Sequence, residues 1–226
     1  GMPPYDPPQI LESDLSALLL ECALWGVSDP ATLRWLDPPP AAALSEARRR
    51  LAALGALDDA GHITAHGRDI ARLPLEPRIA HMLLAARGLG LVGLAAQVAA
   101  LLGERGLGGI DTDLSMRLRR WRSEKGQRAQ AARMLAQRWA KMVGSDPSRD
   151  HAADDHAVGR CLALAFPDRV AKRRSADGAD WISAGGRGFR LDPLSPLARE
   201  LWLAVGEVQG SAAGARILSA APLDAA

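Results

Sequence analysis

The hydrophobic period of this chain changes once, near residue 166, and that change limits the folds open to it. Before it, apolar residues recur every three or four positions; after it, they come in short runs divided by turn residues. A helical period laid out as a strand scatters its apolar side chains over both faces, so neither part can take the other's structure. The chain is therefore expected to be mainly α with a C-terminal all-β part. Its 226 residues can bury a core in one domain, or in two or three small ones. Hydrophobic residues make up 48% and aromatics only 4%, which describes a folded, soluble protein rich in helix formers. No apolar run reaches the length of a membrane span and no signal-peptide pattern opens the chain, so no membrane partner is expected. Gly1 ahead of Met2 reads as an expression-tag remnant. Cys22 and Cys161 both sit in apolar helical patterns and read as reduced core thiols of a cytoplasmic protein.

Proline and glycine punctuate the first part. After a proline-rich opening, Ser13 can cap a helix that carries Leu15, Leu18, Leu19 and Cys22 and stops at Gly26. Asp29-Pro30 is a second start, for a short helix bearing Leu33 and Leu36. Asp37-Pro38 is a third, with Pro39 and Pro40 tolerated in the first turn. Leu44, Ala47, Leu51 and Leu54 make that helix's buried stripe, Arg48, Arg49 and Arg50 face outward, and Gly55 ends it. A turn at Asp58-Asp59-Ala60-Gly61 between short apolar flanks reads as a two-stranded wing, and Thr64 caps a short trailing helix. Three helices, a wing and a trailing helix make a winged helix. Such a module reads DNA through its third helix or serves as a structural joint in a larger machine.

The middle is helical and unevenly charged. Helices are expected from Pro77 through Ala86, from Leu91 to Leu102, from Leu114 to Trp121 and from Gln127 to Val143, with a glycine-rich link at Gly103–Gly109. The chain carries a net charge of only +2, yet nine of its basic residues and one acidic residue lie between Arg117 and Lys141. A cationic belt on a nearly neutral chain points to an anionic partner at one place, or to nothing more than a solvated helix face. Gly88, Gly90 and Gly93 fit the dinucleotide fingerprint but follow a helix instead of a strand, so the context fails. His62 with His66, and His151 with Asp154, Asp155 and His156, do not make a convincing metal site, and no nucleophile motif occurs. No lysine follows a glycine, so there is no phosphate-binding loop; no catalytic residue, cofactor or metal site is expected.

A polar break near residue 150 leads to a last helix, Asp154 to Phe166. Five strand candidates follow: "RVAKRR", "DWISA", "GFRLD", "LWLAVGEV" and "GARILSA". Five short strands at the end of such a chain suggest a small five-stranded OB-like barrel.

Several stretches resemble a known family. "LDPPP" (Leu36–Pro40), "LGALD" (Leu54–Asp58), the Thr64, Gly67, Arg68 triplet and "LPLEPRIAHML" (Leu73–Leu83) look like the region after the motor of DEAH-box RNA helicases, closest to the bacterial HrpB type. "AFPDRVAKRR", "DPLSPL" and "LWLAVGEV" resemble the OB-like domain of the same family, although Asp192 stands where many relatives carry histidine. The resemblance implies a winged helix at 10–76, a helical ratchet bundle at 77–150, and a linking helix with an OB-like barrel at 151–226. It implies an accessory fragment that binds single-stranded RNA and couples motor movement to strand movement. The RecA-like motor domains of the same chain would be partners and would hold ATP and magnesium, and the fragment alone would be an inactive monomer. Carried onto this chain, phosphate contact falls to Arg117, Arg120, Lys125 and Arg128 in the bundle, with Trp121 and Trp139 available for stacking or buried in the core. Lys172, Arg173 and Arg174 would serve in the first barrel strand, where side-chain alternation lets at most two of the three face one RNA strand. A winged-helix DNA-binding regulator and a purely structural module are the competing readings.

Overall fold

The computed structural model describes residues 15–36, 38–144, 155–210 and 213–224. They fall into two compact units, Gly1–His81 and Met82–Ala226. The expected cap at Ser13, the start at Asp37 and the polar break near 150 lie outside the described residues.

The first unit packs α1 (Ser16–Leu24) against α2 (Ala41–Ala53) and α3 (Ala65–Ala71). Leu19, Leu51 and Ile70 fill its centre, each at most 1% exposed. Two starts differ from the sequence expectation. Asp29-Pro30 yields only the 3-10 turn Pro30–Thr32, capped by the Asp29 carboxylate on the Ala31 amide at 3.0 Å. Leu33 (39% exposed) and Leu36 (100%) are therefore not core residues. Helix α2 begins at Ala41 with Pro40 as its N-cap, so the three prolines precede the first turn. Each proline disfavours helical backbone in the residue before it, which holds the run extended until the last ring is passed. Gly55 stops this part of the chain as expected, at φ +72°. The wing shrinks to a single bridge, Leu57 with Ile63, closed by the Asp58 carboxylate on the amides of Ala60 and His62. Thr64 caps α3 by accepting from the Gly67 amide at 3.0 Å while its hydroxyl donates to the Gly55 carbonyl at 2.6 Å.

Helix α4 (Pro77–Ala86) carries the chain onward, and in the second unit α5 (Val92–Gly103) is the central element. Eight of its residues are buried, the pattern of a helix enclosed on all sides. Around it pack α6 (Leu114–Ser123), α7 (Gln127–Met142) and α8 (Ala157–Ala165). Gly88 and Gly90 lie in the turn between α4 and α5, and Gly93 lies in the first turn of α5.

Seven strands follow: β1 (Val170–Arg173), β2 (Asp180–Ser183), β3 (Gly188–Arg190), β4 (Trp202–Val205), β5 (Val208–Gln209), β6 (Ala213–Ile217) and β7 (Ala220–Pro222). They form one curled sheet in the order β5-β6-β3-β2-β1-β4-β7, antiparallel except where β3 meets β6. Seven strands stand where five candidates were expected because two candidates are interrupted. "LWLAVGEV" breaks at Gly206-Glu207 and "GARILSA" at Leu218-Ser219, opposite one another. There the Ser219 hydroxyl accepts from the Glu207 amide at 2.8 Å, in place of a regular ladder bond. Trp181, Phe189, Leu197 and Leu203 fill the core of the sheet. Helix α8 lies against β4 and β7 so closely that a Cβ at Gly159 would sit 1.9 Å from the Pro222 carbonyl oxygen. Bundle and sheet thus share one unit. No helix among the described residues is long and apolar enough to cross a membrane.

Candidate nucleic-acid interface

The basic belt lies on α6, on α7 and on the turn between them, and its members have different fates. Asp113 caps α6 by accepting from the amides of Ser115 (2.8 Å) and Met116 (3.4 Å), which sets the rotation of the helix. That rotation turns Arg117 inward. It is 5% exposed, and its guanidinium donates to the carbonyls of Leu107 (3.1 Å) and Leu101 (3.2 Å). Burial lowers its pKa, while the Glu207 and Asp111 carboxylates oppose the shift. Gly108 runs against the same residue: its φ is +65°, and a Cβ there would meet the Arg117 carbonyl oxygen at 1.9 Å. Arg117 is therefore a structural tie and not the phosphate contact expected from the sequence. A helical spacing marks the face of a residue but not whether buried carbonyls await a donor there.

Arg120 and Arg128 remain at the surface, each with a carboxylate of the connection between α5 and α6, residues 104–113. Arg120 pairs with Asp111; Arg128 pairs with Glu104 at 2.5 Å and also donates to the Arg105 carbonyl. Lys125 stands exposed at the turn between the helices, and Arg119, Arg138 and Lys141 are exposed as well. Arg122 is held by Gln97 (2.7 Å) and Arg133 by the Trp121 carbonyl (2.9 Å). Neither tryptophan offers a stacking face: Trp121 is 0% exposed and donates to the Ala129 carbonyl, and Trp139 is 9% exposed. The tryptophans belong to the core.

On the sheet, alternation sorts the three basic residues. Lys172 points out, 5.5 Å above the Trp202 ring. Arg173 turns toward the protein and donates to the carbonyls of Ala198 (3.2 Å) and Arg199 (3.1 Å), so it too is withdrawn from phosphate contact. Arg174, just past the strand, is exposed and borders a cleft of about 480 Å³. Arg190 shares that cleft and sequence reading missed it. The signal was present in "GFR", where a buried Phe189 forces the next residue outward. Arg190 reaches Asp180 at 3.4 Å, and Gly188 and Gly214 leave backbone open beside it. Asp192 instead closes its own turn, accepting from the Leu194 amide at 2.9 Å.

In the first unit, Arg48 donates to the Ser28 carbonyl (2.9 Å) and Arg50 pairs with Glu46 (2.9 Å), which leaves Arg49 as the fully outward member of the triplet. His62 leans on Asp58 at 3.4 Å, and His66 Nε2 lies 2.8 Å from His81 Nδ1. No group of three or more metal-ligating side chains occurs among the described residues.

Comparison with known proteins gives these placements a context. The winged-helix model of the helicase associated domain (HA2) matches residues 47–75. The chain is 40% identical over 219 residues to the ATP-dependent RNA helicase HrpB of Escherichia coli, covering 96% of this chain and 26% of that protein. It is 35% identical over 101 residues to the pre-mRNA-splicing factor ATP-dependent RNA helicase prp22 of Schizosaccharomyces pombe, covering 45% of this chain and 9% of that protein. Among solved structures, the crystal structure of E. coli DExH-box NTPase HrpB superposes with a TM-score of 0.81 at 38% identity, over 97% of this chain and 26% of that one. A second crystal structure, of the E. coli DEAH/RHA helicase HrpB, gives 0.80 at 36%, over 96% and 26%. The chain thus spans about a quarter of the length of HrpB. With its winged helix, its helical unit and its curled sheet all matched in order, the chain is homologous to the C-terminal region of DEAH/RHA RNA helicases such as HrpB.

Proposed function

We propose that this chain is the accessory part of an ATP-dependent RNA helicase, and that it holds single-stranded RNA while motor domains elsewhere in the parent protein move it. The observation that carries the reading is the 40% identity to an ATP-dependent RNA helicase across 96% of this chain. ATP and magnesium would belong to those motor domains. This chain's own residues would supply one wall of the RNA path: Arg120, Lys125 and Arg128 on the bundle, and Lys172, Arg174 and Arg190 on the sheet.

An OB-like barrel is part of this reading, and the strand register supports it. Leu203 pairs with Pro222 and Val205 with Ala220; past the interruption, Val208 pairs with Ile217 in the same register. The Gly206 amide bridges the gap to the Ser219 carbonyl at 2.8 Å. So β4 with β5, and β6 with β7, read as two bent strands. β1 pairs with β2 and β4, and β3 with β2 and β6, so two bent and three straight strands would close as a five-stranded ring in this reading. The Arg174–Arg190 cleft then lies where the β1–β2 connection meets the start of β6, a place where such barrels take oligonucleotides.

The test is anisotropy of a labelled single-stranded oligouridylate across salt. If about three phosphates are neutralised, the log–log salt slope is near −2, and affinity falls roughly fifteen- to twentyfold between about 50 and 200 mM salt. R120A/K125A/R128A should flatten that slope, whereas R48A/R49A/R50A should not. Preference for duplex DNA, with the Arg48–Arg50 triplet dominant, would favour the regulator; binding to neither nucleic acid would favour the structural module.

A further inference from the structure

We propose that the link between α5 and α6 is a built-in competitor for the RNA backbone, with Glu104 and Asp111 standing in for phosphates on Arg128 and Arg120 until RNA displaces them. The inference rests on the RNA-binding reading above and adds a regulation to the same site. Two kinds of bond hold the link. One kind is internal: the buried Arg117 fork on the Leu101 and Leu107 carbonyls, and the Thr112 carbonyl accepting from Ala220 in β7 (2.9 Å). The other kind is exposed. The side chains of Arg120 and Asp111 are 52% and 40% exposed, and those of Arg128 and Glu104 59% and 43%.

These two kinds respond differently to a polyanion. Exposed ion pairs are weak, since water already screens them. A guanidinium binds carboxylate and phosphate through the same planar fork, so an incoming phosphate can take over without moving the arginine. The buried bonds offer no such exchange, because the fork of Arg117 is shut away from solvent. The link therefore stays fixed by its internal bonds while its two carboxylates are released. Both carboxylates sit on one short link, at its two ends, and both meet cations that the sequence marks as RNA contacts. Binding should then release fewer counterions than the number of arginines suggests, because each freed carboxylate recaptures a cation from solution.

The test compares wild type with E104Q/D111N on the same labelled oligouridylate. With the competitors neutralised, affinity at about 100 mM salt should rise about five- to tenfold. The salt slope should steepen by about 1.4, as the two phosphate contacts of Arg120 and Arg128 release their ions without recapture. E46Q/D69N is the control: it removes two carboxylates from the exposed pairs Glu46–Arg50 (2.9 Å) and Asp69–Arg72 (3.0 Å) in the first unit. It should change affinity less than about twofold. The single variants E104Q and D111N should each give about half the slope change, which keeps the test open if the double variant folds poorly. An unchanged slope and affinity in E104Q/D111N, a loss of affinity, or an equal gain in the control would overturn the competitor while leaving RNA binding intact. Binding by the double variant alone would support it. No binding by any variant would overturn the RNA reading itself, and the competitor with it.

Discussion

Two residues show how strongly local surroundings decide what a side chain can do. His81 lies 2.8 Å from His66, nitrogen to nitrogen. Burial first, and the charge of His66 second, push His81 down to about 4 from its ordinary 6.5. Its folded pKa is below the unfolded one, so the unfolded chain takes up the proton first. The stability this gives is full above about pH 6.5 and is lost as pH falls from there toward 4. Discounted for its partial exposure, the effect is about 1–2 kcal/mol. Thermal melts should fall between pH 7 and 5 in wild type and be flatter in H81Q; equal pH profiles would show that the pair carries no such linkage. Arg117 is the second case. R117M leaves two buried carbonyls without a donor and should cost about 3 kcal/mol in urea unfolding. R119A, two positions along on the exposed face, should stay within about 0.5 kcal/mol. Similar costs for the two would mean that the buried fork is not what ties the link.

At the scale of elements, the sequence was most informative where backbone chemistry is local. Gly55 and Thr64 act as stop and cap as read, and α5, α6 and α7 lie within a residue or two of their expected bounds, because caps, glycines and apolar spacing act within one turn of chain. It was least informative where the deciding partner is distant in sequence. Arg117 looks like any other arginine of the belt until the Leu101 and Leu107 carbonyls are placed beside it. The break within "LWLAVGEV" depends on Ser219, thirteen positions after Gly206. Leu33 and Leu36 have the spacing of a helix, but three prolines downstream allow no continuation, so one 3-10 turn is all that forms. The candidate site divides in the same way: side-chain alternation separates Lys172 from Arg173, while Arg190 and the cleft needed the pairing of β2 with β3 to come together. The close approach of α8 to β7 is another distant effect. G159A would drive a methyl into the Pro222 carbonyl at 1.9 Å, in the backbone of a strand that cannot easily yield. It should destabilise by about 2–3 kcal/mol in spite of alanine's better helix propensity. A neutral or stabilising G159A would show that helix and sheet can separate there at no cost.

Across the whole molecule, the charge is uneven. The belt from 117 to 141 carries a net +8, so the rest of the chain is net −6. A polyanion is therefore attracted at one region and repelled elsewhere, which favours weak, local and salt-sensitive binding. Phosphoryl transfer asks for more than attraction. It needs amides and an ammonium placed on the β- and γ-phosphates, a carboxylate to hold the metal, and a positioned water. The loop that supplies the first of these has lysine directly after glycine. The three lysines of this chain, Lys125, Lys141 and Lys172, follow Glu124, Ala140 and Ala171. Of these, Lys125 is exposed at a helix–helix turn and Lys172 lies over Trp202, and neither opens a helix after a strand. The isolated chain should therefore release no phosphate from ATP above background, with or without saturating single-stranded RNA and magnesium, in a colorimetric phosphate assay. A trace activity that copurifies is separated from a genuine one by substitution. If RNA-stimulated turnover were present and K125A or K172A abolished it, the chain would contain a catalytic centre, and its assignment as the non-catalytic wall of an RNA path would fail.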